Sequence, residues 1–327
     1  MDSKQARSAK FPGYGRTGSG KVRRTGSGKV RRAILFINLQ KKFTRNLGED
    51  MKRELASLNI ETDTFSFKGK SGFTGAESYD IAMSVGGDGT VLSAARTMAP
   101  LGVPVFPVNL GTFGFIAGVH PGEWKAVFGR WLDGKALVSR RLMLEINVER
   151  GGEEIFRGCC LNDVVVTASG IAKIIRLKVS YREKGRPDFM KLGQYRSDGL
   201  IVSTPTGSTA YSVAAGGPIL DPELEALILN PICPFTLSNR PMVLPAGETV
   251  LAEVEEEQRS GVLLTVDGQV MVKLKPGDRI YLNKAPFSCM LIASGRKNFY
   301  EALRTKLAWT GGGEEDSVEQ EGGSRLA

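Results

Sequence analysis

The amino-acid sequence predicts two parts, a parallel α/β domain followed by a β-sandwich domain. Strand-like apolar runs alternate with helix-like runs between residues 33 and 132, which is typical of a parallel sheet covered by helices. After Gly134 short alternating runs follow one another with turn residues between them, which favours a sandwich. Two of the early strands end in glycine-rich turns, where Rossmann-like domains bind their ligands.

The first part is expected to contain four strands and three helices. The strands are predicted at Ala33–Leu39, Ile60–Phe67, Ile81–Val85 and Val103–Val108. The helices are predicted at Thr44–Leu58, Val91–Met98 and Pro121–Leu132. Ligands of a parallel sheet lie beyond the carboxyl ends of its strands, so the turns after Val85 and Val108 are candidate site segments.

The second part is expected to be mostly strands. They are predicted at Leu137–Arg150, Glu154–Ala168, Lys173–Arg182, Leu192–Ser203, Pro234–Leu237, Thr249–Glu255, Gly261–Asp267, Val270–Leu274, Arg279–Leu282 and Ser288–Ala293. Two helix-like stretches interrupt or follow them, Glu223–Leu229 and the amphipathic Asn298–Leu307.

Composition indicates a globular protein of ordinary type. The chain has 327 residues, of which 41% are apolar and 24% charged. No apolar run approaches the ~18–20 residues of a membrane span, and no signal peptide is apparent, so we expect a cytoplasmic protein with no membrane association. The four cysteines are expected to be reduced core residues. The single histidine, His120, leaves almost no material for zinc sites or Ser-His-Asp catalysis and is expected in a solvated loop.

The net charge of +9 comes mainly from the N-terminus. Residues 1–32 carry ten Lys or Arg and one acid, whereas residues 311–327 carry five acids and one Arg. The segment Arg16–Arg23 repeats identically as Arg24–Arg31. Both tails are predicted to be disordered because they contain too little apolar surface to offset the entropy of ordering. We therefore expect no specific nucleic-acid partner.

The stretch Gly86-Gly87-Asp88-Gly89-Thr90 lies between a predicted strand and a predicted helix. Glycine lets backbone N–H groups approach a phosphate closely, and the start of a helix favours negative charge. Asp88 stands among these glycines with no basic neighbour in sequence. An ordinary Gly-Asp-Gly turn is the alternative interpretation.

Two polar pairs interrupt the predicted strands of the second part. Asn162 and Asp163 lie within an apolar run, where a charge is costly to bury unless something binds it, and the pair suits sugar hydroxyls. The alternative is an edge strand with Asp163 facing solvent. Arg196 and Asp198 are two residues apart and so share one face of a strand, where they bind a ligand or only pair with each other.

Two further segments have the composition of ligand-binding turns. The hydroxyl-rich stretch Thr204–Pro218 can cap a helix while presenting N–H groups, and its small residues leave room for a flat or bulky molecule. A tight structural corner is the alternative. Asp267-Gly268-Gln269 fits a hairpin turn equally well.

Taken in order, these segments resemble the NAD kinase family. The resemblance rests on the following segments: Gly86–Thr90, Asn109–Phe115, Asn162-Asp163, Arg196–Tyr211, Ser238–Pro241, Asp267–Gln269 and Phe299–Trp309. It covers about residues 33–310. Asp163 stands where many members have Glu, and Lys173 stands where some members have His.

The resemblance implies a domain organisation. We expect a disordered basic tail at 1–32, an α/β domain at 33–138, a β-rich NAD-binding domain at 139–293 and a disordered acidic tail at 311–327. Residues 294–310 would return to pack on the α/β domain. A homodimer or homotetramer is also implied.

The implied activity is transfer of a phosphoryl group from ATP, or from polyphosphate, to the 2′-hydroxyl of the adenosine ribose of NAD. Mg²⁺ or another divalent cation is expected to arrive with ATP, because the sequence has no carboxylate cage for it. The alternatives are a related kinase that shares the Gly-Gly-Asp-Gly-Thr loop and acts on a lipid or sugar, and a dinucleotide sensor without catalysis.

The resemblance also implies residue roles. Asp88 would be the catalytic proton acceptor, although orienting the hydroxyl or contacting a metal fits it equally. Phosphate-binding positions would be Gly86, Gly87, Gly89 and Thr90. NAD-binding positions would be Asp88, Gly89, Phe115, Asn162, Asp163, Lys173, Arg196, Asp198, Thr209, Ala210, Tyr211, Ser212, Val213, Ala214 and Gln269.

Overall fold

The structure is a computed structural model that describes residues 30–37, 42–66, 78–110, 114–170, 173–236 and 238–307. Its helices are α1 (Lys42–Ser57), α2 (Asp88–Met98), α3 (Trp124–Leu132), α4 (Tyr211–Ala214) and α5 (Arg296–Lys306). Its strands are β1 (Arg32–Ile37), β2 (Glu61–Ser66), β3 (Ile81–Gly86), β4 (Val105–Asn109), β5 (Val138–Arg150), β6 (Glu153–Cys160), β7 (Asp163–Ala168), β8 (Ile175–Arg182), β9 (Met190–Ser197), β10 (Gly199–Ser203), β11 (Ala226–Ile232), β12 (Met242–Pro245), β13 (Thr249–Val254), β14 (Val262–Val266), β15 (Val270–Leu274) and β16 (Arg279–Ile292). The predictions for residues 1–29 and 308–327 lie outside the described residues.

The first part is a doubly wound parallel sheet in the order β2-β1-β3-β4. Helix α2 covers one face, where Val91, Ala95 and Met98 are buried. Helices α1 and α3 cover the other face, which buries Met51 and Phe128. Strand order reverses between β1 and β3, so the turn after β3 lies at the switch point where such sheets bind ligands.

The second part is a sandwich of two sheets. A six-stranded sheet, β12-β11-β10-β7-β14-β15, packs on a layer formed by β5, β6, β8, β9, β13 and β16. Their facing side chains form one apolar core that includes Leu144, Val164, Leu200 and Leu264. The expected fold class is therefore confirmed.

Strand β16 joins the two parts. It pairs with β5 and β13 in the sandwich and meets β4 in parallel at Leu291 and Val105. The parallel sheet thereby continues into one sandwich layer as a ten-stranded sheet. Among the described helices, none is long and apolar enough to span a membrane.

Two predictions about the second part are wrong. The stretch expected as a helix at Glu223–Leu229 enters strand β11 at Ala226, because Leu227, Ile228 and Leu229 are all buried between two strands. A run of consecutive apolar residues does not distinguish a buried strand from a helix. Residues 234–236 belong to no strand.

The cysteine prediction holds for three residues and fails for one. Cys159, Cys160 and Cys289 are buried and free, as expected. Cys233 is free but exposed, and it has a positive φ of 44° just after the end of β11. His120 lies exposed in a loop, as predicted.

Candidate active site

The Gly86–Thr90 stretch connects β3 to α2 at the carboxyl edge of the parallel sheet. Gly86 is buried, and a Cβ on it would collide with the Thr90 side chain. Gly87 and Gly89 are exposed, so this part of the turn is open to a ligand. Asp88 is the first residue of α2.

The second glycine turn holds the Asp88 carboxylate. The backbone N–H of Phe115 donates to Asp88 Oδ2 at 3.2 Å, and that of Ala117 donates to Oδ1 at 3.1 Å. Gly114 leaves the space for this contact, since a Cβ there would overlap Asp88 Oδ1. The neighbouring residues Gly111, Thr112 and Phe113 lie outside the described residues. The structure thus joins the two turns that the sequence placed after adjacent strands.

Asn162 lies between β6 and β7, and Asp163 is the first residue of β7. Strand β7 is central, with β10 and β14 on its two sides, and Asp163 is only 5% exposed. The alternative of a solvated edge strand is therefore wrong. Burial, reinforced by the negative charge of Asp267, raises the pKa of Asp163 to about 7.

The Asn162 side chain has an unused acceptor. Its Oδ1 is buried and receives no hydrogen bond from any described residue. Thr206 Oγ1 is likewise buried without a partner. Buried polar atoms are normally satisfied, so each of these two atoms keeps hydrogen-bonding capacity that no described residue uses.

The 267–269 hairpin tip, Asp267-Gly268-Gln269, joins β14 to β15 and is a turn, as one interpretation predicted. It also contacts both halves of the site. Asp267 Oδ1 accepts hydrogen bonds from the backbone N–H of Asn162 at 2.8 Å and of Asp163 at 3.3 Å. Gln269 Nε2 donates to the Gly89 carbonyl at 2.8 Å. The hairpin tip therefore connects the phosphate-type turn with the Asn162–Asp163 pair.

The hydroxyl-rich segment forms a compact corner after β10. A 3₁₀ turn at Thr206–Thr209 runs into α4. The Thr204 side chain accepts from the Gly207 N–H at 3.1 Å and donates to the Leu161 carbonyl at 2.5 Å. A Cβ on Gly207 would collide with the backbone of Asn162. The corner is thus packed directly on the Asn162–Asp163 pair.

The predicted positions 209–214 continue this corner. Ser212 is buried, and its carbonyl accepts from Asn230 Nδ2 at 2.9 Å. Tyr211 is exposed, and Thr209, Ala210 and Val213 are partly exposed. Ser212 therefore fixes the corner, while several of its neighbours present accessible surface.

Helix α5 returns to the first part, as predicted. The Phe299 ring lies 6.2 Å from the Phe115 ring, and Lys306 Nζ lies 5.7 Å from the Phe115 ring centroid. Just before the helix, Ser294 Oγ donates to the Ile116 carbonyl at 2.9 Å. The C-terminal segment thereby holds the turn that binds Asp88.

Three predicted NAD-binding residues lie apart from this cluster. Lys173, Arg196 and Asp198 are exposed near the starts of β8 and β10. Register places Ser203 opposite Asp163 at the other end of β10. At about 3.3 Å per residue, Asp198 is separated from Ser203 by roughly 17 Å.

Arg196 faces a separate cavity. Among the described residues no ion pair joins it to Asp198, so the alternative in which the two only pair with each other is wrong. Arg196 instead lines a cavity of about 210 Å³ together with Ile174, Arg176 and Phe235.

Arg96 was missed by sequence reasoning. It lies on α2, is 3% exposed, and its Nη1 donates to Asp267 Oδ2 at 2.7 Å. A signal was available, since a lone charge in an apolar helix that buries every residue from 90 to 98 must find a partner.

Fold and site together define a class of enzyme, a phosphotransferase that joins a nucleotide's phosphate to a hydroxyl-bearing acceptor. Residues 25–136 match the family model for the ATP-NAD kinase N-terminal domain, and residues 161–294 match that for the ATP-NAD kinase C-terminal domain. The chain belongs to the NAD kinase family, and its activity is the making of NADP from NAD with ATP. The predicted family and enzyme class are confirmed.

Relatives agree over most of the chain. The NAD kinase of Treponema denticola is 41% identical over 281 residues, which are 86% of this chain and 97% of that protein. The NAD kinase of Geobacter sulfurreducens is 43% identical over 232 residues, 70% of this chain and 78% of that protein.

Two solved structures share the fold. Yeast NADH kinase, complexed with NADH, has a TM-score of 0.76 and 22% identity, over 88% of this chain and 90% of that one. An NAD kinase from Archaeoglobus fulgidus, in complex with ATP, has a TM-score of 0.64 and 26% identity, over 83% of this chain and 96% of that one.

Proposed function

We propose that this enzyme transfers the γ-phosphoryl group of ATP to the 2′-hydroxyl of the adenosine ribose of NAD, with Asp88 next to the reacting hydroxyl. The observation that carries this proposal is the position of Asp88. It begins α2 within a glycine turn, and two backbone N–H groups from the neighbouring turn hold its carboxylate. A fixed carboxylate beside a phosphate-binding turn is suited to orient a hydroxyl for in-line attack.

In this proposal the glycine turn binds the phosphates of ATP. The exposed Gly87 and Gly89 leave room for close approach, and the α2 N-terminus favours the negative charge. The Thr90 side chain is buried beside Gly86, and the Thr90 backbone N–H donates to the Gly87 carbonyl at 2.9 Å. Thr90 would therefore act mainly by shaping the turn.

Asn162 and Asp163 would hold the ribose. The buried, unpartnered Asn162 Oδ1 supports this role, because a ribose hydroxyl can donate to it. With a pKa of about 7, Asp163 is partly protonated near neutral pH and can both donate and accept. Gln269 reaches the same region through its bond to Gly89.

The adenine would stack on Phe115, next to the accessible positions at 209–214. Phe115 is half-buried, and Phe299 and Lys306 support its ring from the C-terminal segment. Arg196, Asp198 and Lys173 would contact a more distant part of an extended dinucleotide.

The proposal also includes a homodimer or homotetramer, in which these exposed residues meet a second copy of the chain. Sedimentation velocity tests the oligomeric state.

The reaction forms a bond between the ribose 2′-oxygen and the γ-phosphorus and breaks the bond from that phosphorus to the β,γ-bridging oxygen, releasing ADP. Phosphoryl transfer has a loose transition state, so the hydroxyl proton leaves late and positioning matters most. Asp88 orients the hydroxyl and receives its proton at that stage. The divalent cation, Mg²⁺ or another, is part of the substrate as MgATP and neutralises phosphate charge.

A donor and acceptor matrix tests the proposal. Purified enzyme is incubated with MgATP or polyphosphate and with NAD or NADH, and the product is assayed with an NADP-specific dehydrogenase. Phosphorus NMR then identifies the phosphorylated hydroxyl. We expect NADP from NAD and MgATP with a 2′-phosphate. Tight NAD binding without turnover would instead identify a dinucleotide sensor.

We also infer a cytoplasmic location, since three free cysteines are buried in the core, which fits a reducing compartment. Fractionation of cells tests this location.

A further inference from the structure

Arg96 has no place in the proposed chemistry, yet it is a deeply buried cation near the site. It lies eight residues after Asp88 on α2, about 12 Å along the helix axis. Its side chain is 3% exposed, and that of Asp267, its ion-pair partner, is 0% exposed. Such a pair is expensive to desolvate and is a weak reason for stability by itself.

The Arg96 guanidinium donates hydrogen bonds to two residues of the hairpin tip. Nη1 donates to Asp267 Oδ2 at 2.7 Å, and Nη2 donates to Gln269 Oε1. The Gln269 amide in turn donates to the Gly89 carbonyl at 2.8 Å. A chain of hydrogen bonds therefore starts on α2 and returns to the first turn of α2, beside Asp88.

The Asp267 carboxylate also binds the segment between β6 and β7, and it thereby links Arg96 to the sandwich. Besides Arg96, it accepts the backbone N–H groups of Leu161 at 3.3 Å, Asn162 at 2.8 Å and Asp163 at 3.3 Å. Asp267 has a positive φ of 49°, a conformation that L-residues rarely adopt. The surrounding bonds hold it there.

We propose that Arg96 is a positioning residue for phosphoryl transfer, because it fixes the Asn162–Asp163 pair relative to the Asp88 turn. This inference rests on the proposed function. In the proposed function the Asp88 turn binds the phosphates of ATP and the Asn162–Asp163 pair binds the ribose of NAD. A change in the relative position of these two segments therefore changes how the hydroxyl approaches the γ-phosphate, whereas the contacts of each substrate with its own segment stay in place. A misplacement of about 1 Å costs on the order of 10²-fold in rate.

Arg96→Lys is the sharpest test. Lysine keeps the positive charge beside Asp267 but cannot reproduce the two-point fork to Asp267 and Gln269. We expect kcat to fall about 10-fold or more, while calorimetric Kd values for NAD and for ATP each change less than about threefold. A purely structural role would instead lower the melting temperature and both affinities together with kcat.

The matched control is Arg150→Lys. Arg150 also forms a fork with a buried carboxylate, through Nε to Asp278 Oδ1 at 2.7 Å and Nη2 to Oδ2 at 2.8 Å. It lies at the end of β5 and touches none of the proposed site residues. We expect its kcat to equal that of the wild type.

A second variant covers the case in which Arg96→Lys does not fold. Arg96→Met combined with Asp267→Asn removes both charges, which buried pairs often tolerate. We expect a folded protein with kcat lowered about 10²-fold. A folded variant with kcat within twofold of wild type overturns the role of Arg96. Wild-type protein that makes no NADP in the same assay overturns the proposed function, and this inference with it.

Discussion

Asp88 and Asp267 are two aspartates that accept backbone hydrogen bonds in similar ways and differ in what else surrounds them. Asp88 receives two N–H groups, is half-buried, and has no cationic partner among the described residues. Asp267 receives three N–H groups and a guanidinium, and its side chain is fully buried. Backbone amides thus position both carboxylates. Only the Asp88 carboxylate remains partly exposed and has hydrogen-bonding capacity left for a substrate.

The first prediction, which has the largest expected effect, concerns the pH dependence of stability that the Asp267 charge helps to create at Asp163. Burial and the Asp267 charge raise the pKa of Asp163 to about 7. An aspartate in the unfolded chain titrates near 3.9. The folded state therefore binds the proton more tightly, and this contribution to stability is complete below pH ~4 and lost as the pH rises through 7. Between pH 4 and pH 8, Asp163→Asn should gain roughly 4 kcal/mol of unfolding free energy relative to wild type.

Urea unfolding at both pH values measures this difference. A constant difference between Asp163→Asn and wild type across this range would show that the pKa of Asp163 is the same in the folded and unfolded states.

The second prediction separates the two aspartates by function. Asp88→Asn should lower kcat about 10²-fold or more, because a neutral amide can neither orient the hydroxyl in the same way nor accept its proton. NAD affinity should stay within about threefold, since most proposed contacts lie elsewhere. Steady-state kinetics and calorimetry check both, and a variant that turns over at the wild-type rate would remove Asp88 from the chemistry.

The third prediction concerns a variant that moves the Asp88 carboxylate without substituting Asp88 itself. A Cβ at Gly114 would overlap Asp88 Oδ1, so Gly114→Ala should shift the carboxylate and lower kcat about 10-fold. Gly129→Ala is the matched control, because a Cβ at Gly129 in α3 meets nothing within 4 Å. The control should keep full activity and gain roughly 0.5–1 kcal/mol of stability. Equal activities of the two variants would contradict the packing of Gly114 on Asp88.

The Asp88 turn was predictable because its role depends on local backbone. Three glycines between a strand and a helix specify that turn from sequence alone, and the structure has it there. Asn162 and Asp163 were also visible, as polar residues that interrupt an apolar run.

The role of the 267–269 hairpin tip was not predictable, because it depends on what the fold brings opposite the turn. Arg96 is 171 residues away from Asp267 in sequence, and nothing local connects them. The wrong helix at Glu223–Leu229 has a related cause, since the neighbouring strands β10 and β12 decide that this apolar run is extended.

The place of β16 in the fold has a consequence for synthesis. All five residues of β4 are buried, and one side of this strand meets β16, where Leu291 pairs with Val105, which lies 186 residues earlier in the chain. Without β16 the nascent α/β half exposes an apolar strand edge that can pair with other chains. Strand β16 therefore completes the first part as well as the second, and the β4 edge stays exposed to other chains until β16 has been synthesised.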